Sequence, residues 1–225
     1  MFTASETWKT TYPGAALGVL AMDGVANPKQ HAGLEQKKTA LEEQLRARYA
    51  GYDRAALRAL PELQAYHEFY KRFKKTYHVQ LQLESVVLKG KSIPRVAALV
   101  EAMFMAELQD LLLTAGHDLD VVQLPAGVDV ADGSERYVRI NGQEQQTKAG
   151  DMMIADAQGI LSTVLYGPDQ RTQIAPKTTR VLFTAYAPPG IGNEKVRTHL
   201  QNIRDNVLVV APQAGIELLE VYGAA

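Results

Sequence analysis

The spacing of apolar and turn-forming residues changes character at Gly116, and that change constrains the fold more than any other feature of this 225-residue chain. Before it, leucines and valines recur every three or four residues among charged ones, the period of a helix that buries one face. After it, apolar runs are short, alternate with polar residues and are cut by Gly, Asn, Asp and Pro pairs, as in strands joined by tight turns. Strands gathered in one half, instead of alternating strictly with helices, predict an α+β fold: a helical amino-terminal half packed on a mainly antiparallel sheet.

The run GAALGVLAMDGV at 14–25 is bounded by turn residues and reads as a buried strand. Leu34, Leu41 and Leu45 mark a helix over 33–49, which Gly51 ends. Asp53 can cap a short helix through Leu60, and Pro61 suits the first turn of the next, through Phe73. Between 77 and 90 the periodicity is undecided: Val79, Leu81 and Leu83 alternate like a strand, whereas Val79, Leu83, Val86 and Val87 share a helical face. A long helix is expected over 92–113, with Pro94 near its start and an apolar stripe of Val96, Leu99, Val100, Phe104 and Leu108. Asn141-Gly142 predicts a hairpin of 136–140 with 143–147. Further strands are expected at 152–155, 160–166, 180–186 and 216–222, and a helix at 193–207.

With 46% hydrophobic residues the chain can bury a substantial core, and residues 1–225 are expected to form one compact unit. The absence of Cys excludes disulfides and thiolate chemistry and suits a reducing compartment. MFTASETWKTTYPG lacks the basic start and apolar run of a signal peptide, and no apolar stretch approaches the roughly 20 residues of a membrane span. A soluble, cytoplasmic protein without a membrane partner is expected. The net charge of −1 conceals an asymmetry: residues 29–95 hold 14 Lys or Arg against 7 Asp or Glu, the remainder 10 against 18. Its densest point is YKRFKKTY, where Lys71, Arg72, Lys74 and Lys75 interleave with Tyr70, Phe73 and Tyr77. Such a segment can neutralise phosphates and stack bases, or be a solvated helix face with its aromatics turned inward.

Two clusters can carry chemistry. Ala115-Gly116-His117-Asp118-Leu119-Asp120 is expected as a turn just beyond the long helix, where His117 could be a general base oriented by a carboxylate. Asp118 and Asp120 can equally serve backbone donors in that turn. Two ligand types without a second cluster argue against a metal. In Tyr166-Gly167-Pro168-Asp169-Gln170-Arg171-Thr172 a tight turn presents Asp169, Arg171 and Thr172. Arg171 suits a phosphate or carboxylate, unless it only pairs with Asp169. No P-loop, dinucleotide fingerprint or metal motif is present.

LLTAGHDLD, RYVRINGQEQQTKAGDMMIADAQGILSTVLYGPDQRT and TRVLFTAYAPPG, in this order, resemble the B3/B4 domain of the phenylalanyl-tRNA synthetase beta subunit and its free-standing relatives. The resemblance covers about 66–188. It implies a B3/B4-like core there, a strand plus helical extension over 1–65, a carboxy-terminal helix and strand over 189–225, and a helix in the undecided segment before Gly90. The synthetase members read P-x-H-A-F-D over Leu113 to Asp118, which places their editing histidine on Ala115. Their paired glycines fall on Val164-Leu165 and Pro168-Asp169, and their tyrosine-discriminating glutamate on Thr184. Asp118, the Ala149-Gly150-Asp151 turn, Ile154-Ala155-Asp156 and Thr178 are kept.

The resemblance implies a tRNA-binding protein that hydrolyses the ester of misacylated tRNA in trans, without cofactor. The expected roles are His117 and Asp118 in catalysis, Tyr166, Asp169, Arg171, Thr172 and Thr184 on the aminoacyl end, and Lys71, Arg72, Lys74 and Lys75 on nucleic acid. One concave pocket is expected, lined by Tyr166, Thr184 and the His117 turn. The alternatives are a non-catalytic tRNA or amino-acid binding module and an unrelated enzyme on the same scaffold.

Overall fold

Local chemistry sets most element ends in the computed structural model, which describes residues 2–224. Ser5 accepts a hydrogen bond from the Trp8 amide and starts a short helix that follows the first strand; neither element shows in the apolar pattern. Asp53 caps its helix through the Ala56 amide at 2.8 Å, and Pro61 sits in the first turn of the next, both as expected. The chain runs β1 (Phe2–Ala4), α1 (Glu6–Thr11), β2 (Ala16–Asp23), α2 (Ala32–Arg48), α3 (Arg54–Arg58), α4 (Pro61–Lys71), α5 (His78–Val87) and α6 (Ala98–Asp110). It continues β3 (Leu113–Asp118), β4 (Ala126–Val130), β5 (Arg136–Val138), β6 (Glu144–Gln146), β7 (Met152–Asp156), β8 (Gly159–Thr163), β9 (Gly167–Pro168), β10 (Val181–Ala187), α7 (Asn193–Val210) and β11 (Gly215–Gly223).

The helix expected over 92–113 is shorter at both ends. Ahead of α6 the backbone donors are taken by side chains: Ile93 donates to Glu42 at 2.7 Å and Val96 to Glu101 at 2.8 Å. These buried carboxylates hold the segment extended, and Glu101 is itself paired with Lys38 at 2.8 Å. Beyond α6, Leu111 adopts a left-handed conformation (φ 64°), which stops the helix. His117 therefore lies in a strand, and the turn begins only after Asp118.

The expected α+β class is observed, with seven helices and three mostly antiparallel sheets among the described residues. One sheet has the order β11-β2-β10-β3, antiparallel throughout, with Ala115 opposite Thr184 and His117 opposite Leu182. A second has the order β1-β4-β7-β8-β9, in which only β1 and β4 run parallel. The hairpin β5-β6 forms around Asn141-Gly142, with Gly142 at φ 78°. Helix α7 covers β2 so closely that a Cβ on Gly18 would stand 2.6 Å from the Val196 side chain, and α6 packs on α7 and β3. The main core draws on both large sheets and their helices, from Phe2 to Ala224. No described helix is long and apolar enough to cross a membrane.

Candidate functional site: a pocket between two sheet edges and the network beneath it

Edge strand β3 of the first sheet meets edge strand β9 of the second, and α6 runs past both, leaving a cavity of about 420 Å³. This volume lies in the range of small-molecule sites. Val100, Met103 and Phe104 of α6, Leu113 and Ala115 of β3, Val164 and Ile174 make the lining predominantly apolar. Val96 and Ile140, two of the most exposed large apolar residues, also line it. Gly116 lets Ile174 lie against β3, since a Cβ there would stand 2.8 Å from the Ile174 methyl. The polar contributions come from His78, Thr114, Thr163, Gln173, Tyr186 and Glu107.

Glu107 is the outlier among them. Its Oε1 accepts from the Thr114 amide at 2.8 Å, while its buried Oε2 has no hydrogen-bond partner. Burial away from any cation pushes its carboxyl up to about 8, so it carries a proton at neutral pH. A buried group so displaced, in the wall of a cavity, has the physical signature of a functional residue. The apolar stripe of α6 conceals it in the sequence. The only signal is a Glu one turn after Met103 and Phe104.

Beneath the pocket, a chain of buried side chains joins the two sheets. The Tyr186 hydroxyl lies 2.6 Å from Ser162 Oγ, and Ser162 Oγ lies 3.3 Å from His117 Nε2. His117 Nδ1 lies 2.8 Å from Thr172 Oγ1, and Thr172 donates to Asp169. Because Asp169 must accept, one orientation satisfies every member: Tyr186 donates to Ser162, Ser162 to Nε2, and Nδ1–H to Thr172. His117 is fully buried, and desolvation, with the Arg171 charge nearby, lowers its pKa to about 3. The imidazole is neutral.

The expected site residues are thus partly brought together, but not around the cavity. His117, Thr172 and Asp169 share the network, whereas Tyr186, opposite Leu113, is what reaches the pocket wall. Tyr166, Thr184 and the His117 side chain are not in the lining, although Ala115 and Gly116 from the segment expected as the His117 turn are. Asp118 serves the backbone and a side chain, accepting from the Asp120 amide at 3.1 Å and from Thr178 at 2.7 Å. Thr184 is buried, its hydroxyl 3.5 Å from the Ala115 carbonyl. Arg171 binds both oxygens of Asp156, at 2.9 and 3.0 Å, and approaches Asp169 at 3.5 Å. It borders a separate cleft of about 360 Å³ with Arg136 and Tyr137.

The basic cluster divides similarly. Lys71 is 3.8 Å from Glu68, and Lys74 is exposed at a left-handed position (φ 55°) just after α4, which ends at Lys71 rather than Phe73. Arg72 lies over Tyr12 and Phe73, and Lys75 lies 4.4 Å above the Tyr166 ring. Tyr70 and Tyr77 turn inward, as in the solvated-face alternative. No group of three or more metal-ligating side chains occurs among the described residues.

Comparison with known proteins agrees with this architecture. No curated protein sequence matches significantly. Among solved structures, the chain is similar to an N-terminal fragment of the phenylalanyl-tRNA synthetase beta-subunit from Pyrococcus horikoshii, with a TM-score of 0.50 and 11% identity. The similarity covers 96% of this chain and 50% of that fragment, so the chain spans half of its length. At this identity the likeness is one of fold. The sequence pattern described as the B3/4 domain matches residues 64–206, from α4 into α7 and across the pocket. The chain belongs to the B3/4 domain family.

Proposed function

We propose that this protein receives the aminoacyl end of a mischarged tRNA in the pocket and hydrolyses its ester in trans. One observation supports the reading most: within the B3/4 region, the wall of a predominantly apolar cavity of about 420 Å³ includes a buried carboxyl with an unpartnered oxygen. The lining suits an uncharged amino-acid side chain. Such side chains, differing by a methylene, are separated by only about 1–3 kcal/mol of binding, which makes a second hydrolytic sieve useful. An aminoacyl ester is already activated, so a positioned water and a base suffice, and neither metal nor cofactor enters the scheme.

In this scheme Glu107 is the base. Its carboxylate takes a proton from water, the hydroxide attacks the ester carbonyl, and the ribose oxygen leaves as the alcohol with the proton returned by Glu107. His117 is a positioning residue that acts through Ser162 on Tyr186, and Arg171 frames the loop that carries Asp169 and Thr172. A second reading, binding without hydrolysis, is favoured by the withdrawal of His117 from the cavity. A panel of misacylated tRNAs tests both, with binding and amino-acid release measured on the same samples. Release of one or a few amino acids supports hydrolysis; tight binding without release supports the second reading; neither overturns both.

A further inference from the structure

Four cations from three segments of the chain lie near one another without a carboxylate partner, two of them, Lys75 and Arg139, next to the pocket wall. Lys75 follows α4 and covers the Tyr166 ring, and Tyr166 leads directly into Gly167 and Pro168 of the pocket wall. Arg139 precedes the wall residue Ile140 and bridges to Asp169 through its backbone. Its charge reaches Tyr137, whose hydroxyl donates to the Gly167 carbonyl at 2.8 Å, and Tyr166. Partial burial lowers the pKa of Lys75, and Lys148, exposed after β6, and Arg139 are the two cations that lower it further. Arg72 lies against Tyr12, whose hydroxyl donates to the Gly150 carbonyl, two residues from Lys148. None of the four forms an ion pair with a described residue, although most other arginines here do. The one acid bearing on Lys75 is Asp151, which is fully buried beneath it and pushed up to about 7 by desolvation.

Like charges left crowded and unpaired on a chain of net charge −1 are poised for an anionic partner. We infer that Arg139, Lys148, Lys75 and Arg72 hold the phosphodiester backbone of a single-stranded RNA 3′ end, leading its terminal ribose to the pocket mouth. The identity of the RNA rests on the aminoacyl-tRNA reading; the position of the surface rests on the cations. Single-stranded RNA fits because phosphates meet the cations while its bases can lie on the exposed apolar rim of Val96 and Ile140. Two of the four cations, Arg139 and Lys148, come from the strand-rich half and lie outside the basic segment that dominates the sequence.

The test uses fluorescence anisotropy with a short labelled single-stranded RNA ending in CCA, titrated at several salt concentrations. The proteins are the full chain, an R139A/K148A variant and a charge-matched K89A/K91A control whose lysines follow α5. Loss of two phosphate contacts should flatten the slope of log affinity against log salt by about 1.4, which from a 1 M reference amounts to about 60-fold at 50 mM. The control should bind like the parent. Three results overturn the inference: no RNA binding by the parent, unchanged binding by R139A/K148A, or equal loss in the control. An acidic peptide bound as tightly, with the same loss in R139A/K148A, would replace RNA as the occupant. RNA binding as expected, with no aminoacyl-tRNA hydrolysed, leaves the surface assigned and removes the hydrolytic reading instead.

Discussion

Replacing Glu107 by Gln should stabilise the protein in alkaline solution and leave it nearly unchanged in acid. The side chains are isosteric, and the amide oxygen can keep the hydrogen bond from Thr114, so the packing of α6 on β3 is retained. What differs is the proton. The Glu107 carboxyl titrates near 4.5 when solvated and at about 8 in the fold. Between these values the native state binds a proton that the unfolded chain has released, so rising pH draws the chain toward unfolding. The native advantage erodes by about 1.4 kcal/mol per pH unit across that window, to a ceiling of about 5 kcal/mol above pH 8. Water entering the pocket re-solvates the carboxylate and lowers this ceiling. Gln has no proton to lose. Urea denaturation of both proteins from pH 4 to 9 should give a stability difference that is flat below 4.5 and grows in favour of E107Q up to about 8. Asp151, whose carboxyl is also raised by burial, is present in both proteins and cancels in the difference. Parallel stability curves, or a variant destabilised equally at every pH, would refute the reasoning.

Gly116→Ala should crowd Ile174 and cost about 1–3 kcal/mol, measured by thermal or urea unfolding. An accompanying Ile174→Ala should recover part of the loss in a double-mutant cycle. Tyr186→Phe removes the donor to Ser162 and should cost about 1–3 kcal/mol, with a smaller effect if water takes the vacated place. His117 should show no imidazole titration by NMR between pH 5 and 8, since burial lowers its pKa to about 3. As a base with a lowered folded value it should instead withdraw stability as pH falls below about 6.5, because the unfolded chain then binds a proton that the native state does not. A midpoint near 6.5 in the folded protein contradicts the buried network.

Elements with strong local chemistry were legible in the sequence. Asp53 and Pro61 marked helix starts, Asn141-Gly142 marked the hairpin, and the long apolar run of β2 marked a buried strand. The start of α6 was not, because Ile93 and Val96 are held by carboxylates distant in sequence or in the next turn, and periodicity does not record such tertiary hydrogen bonds. β1 and β4 were missed because each is short and is ordered by strands distant in the chain, β1 by β4 and β4 by both β1 and β7. In the site, a local reading placed His117 in a turn lining the pocket, whereas pairing of β3 with β10 puts it in a strand and buries it. Glu107 passed as an ordinary helical residue, since only the meeting of two sheet edges reveals the cavity beside it. The basic segment showed its charge but not its partners: Arg139 and Lys148 join Lys75 only in three dimensions.

Single-turnover deacylation by the parent and E107Q, across the pH range and on whichever misacylated tRNA the parent hydrolyses fastest, tests the central claim most directly. With the uncatalysed rate subtracted, the parent rate should rise with pH to a plateau above about 8, following the Glu107 carboxylate. E107Q, folded and still binding the tRNA, should lose about 10²- to 10⁴-fold in rate constant at the plateau. A folded E107Q with the parent's rate and pH profile would contradict the claim, and so would a parent that releases no amino acid from any tRNA tested.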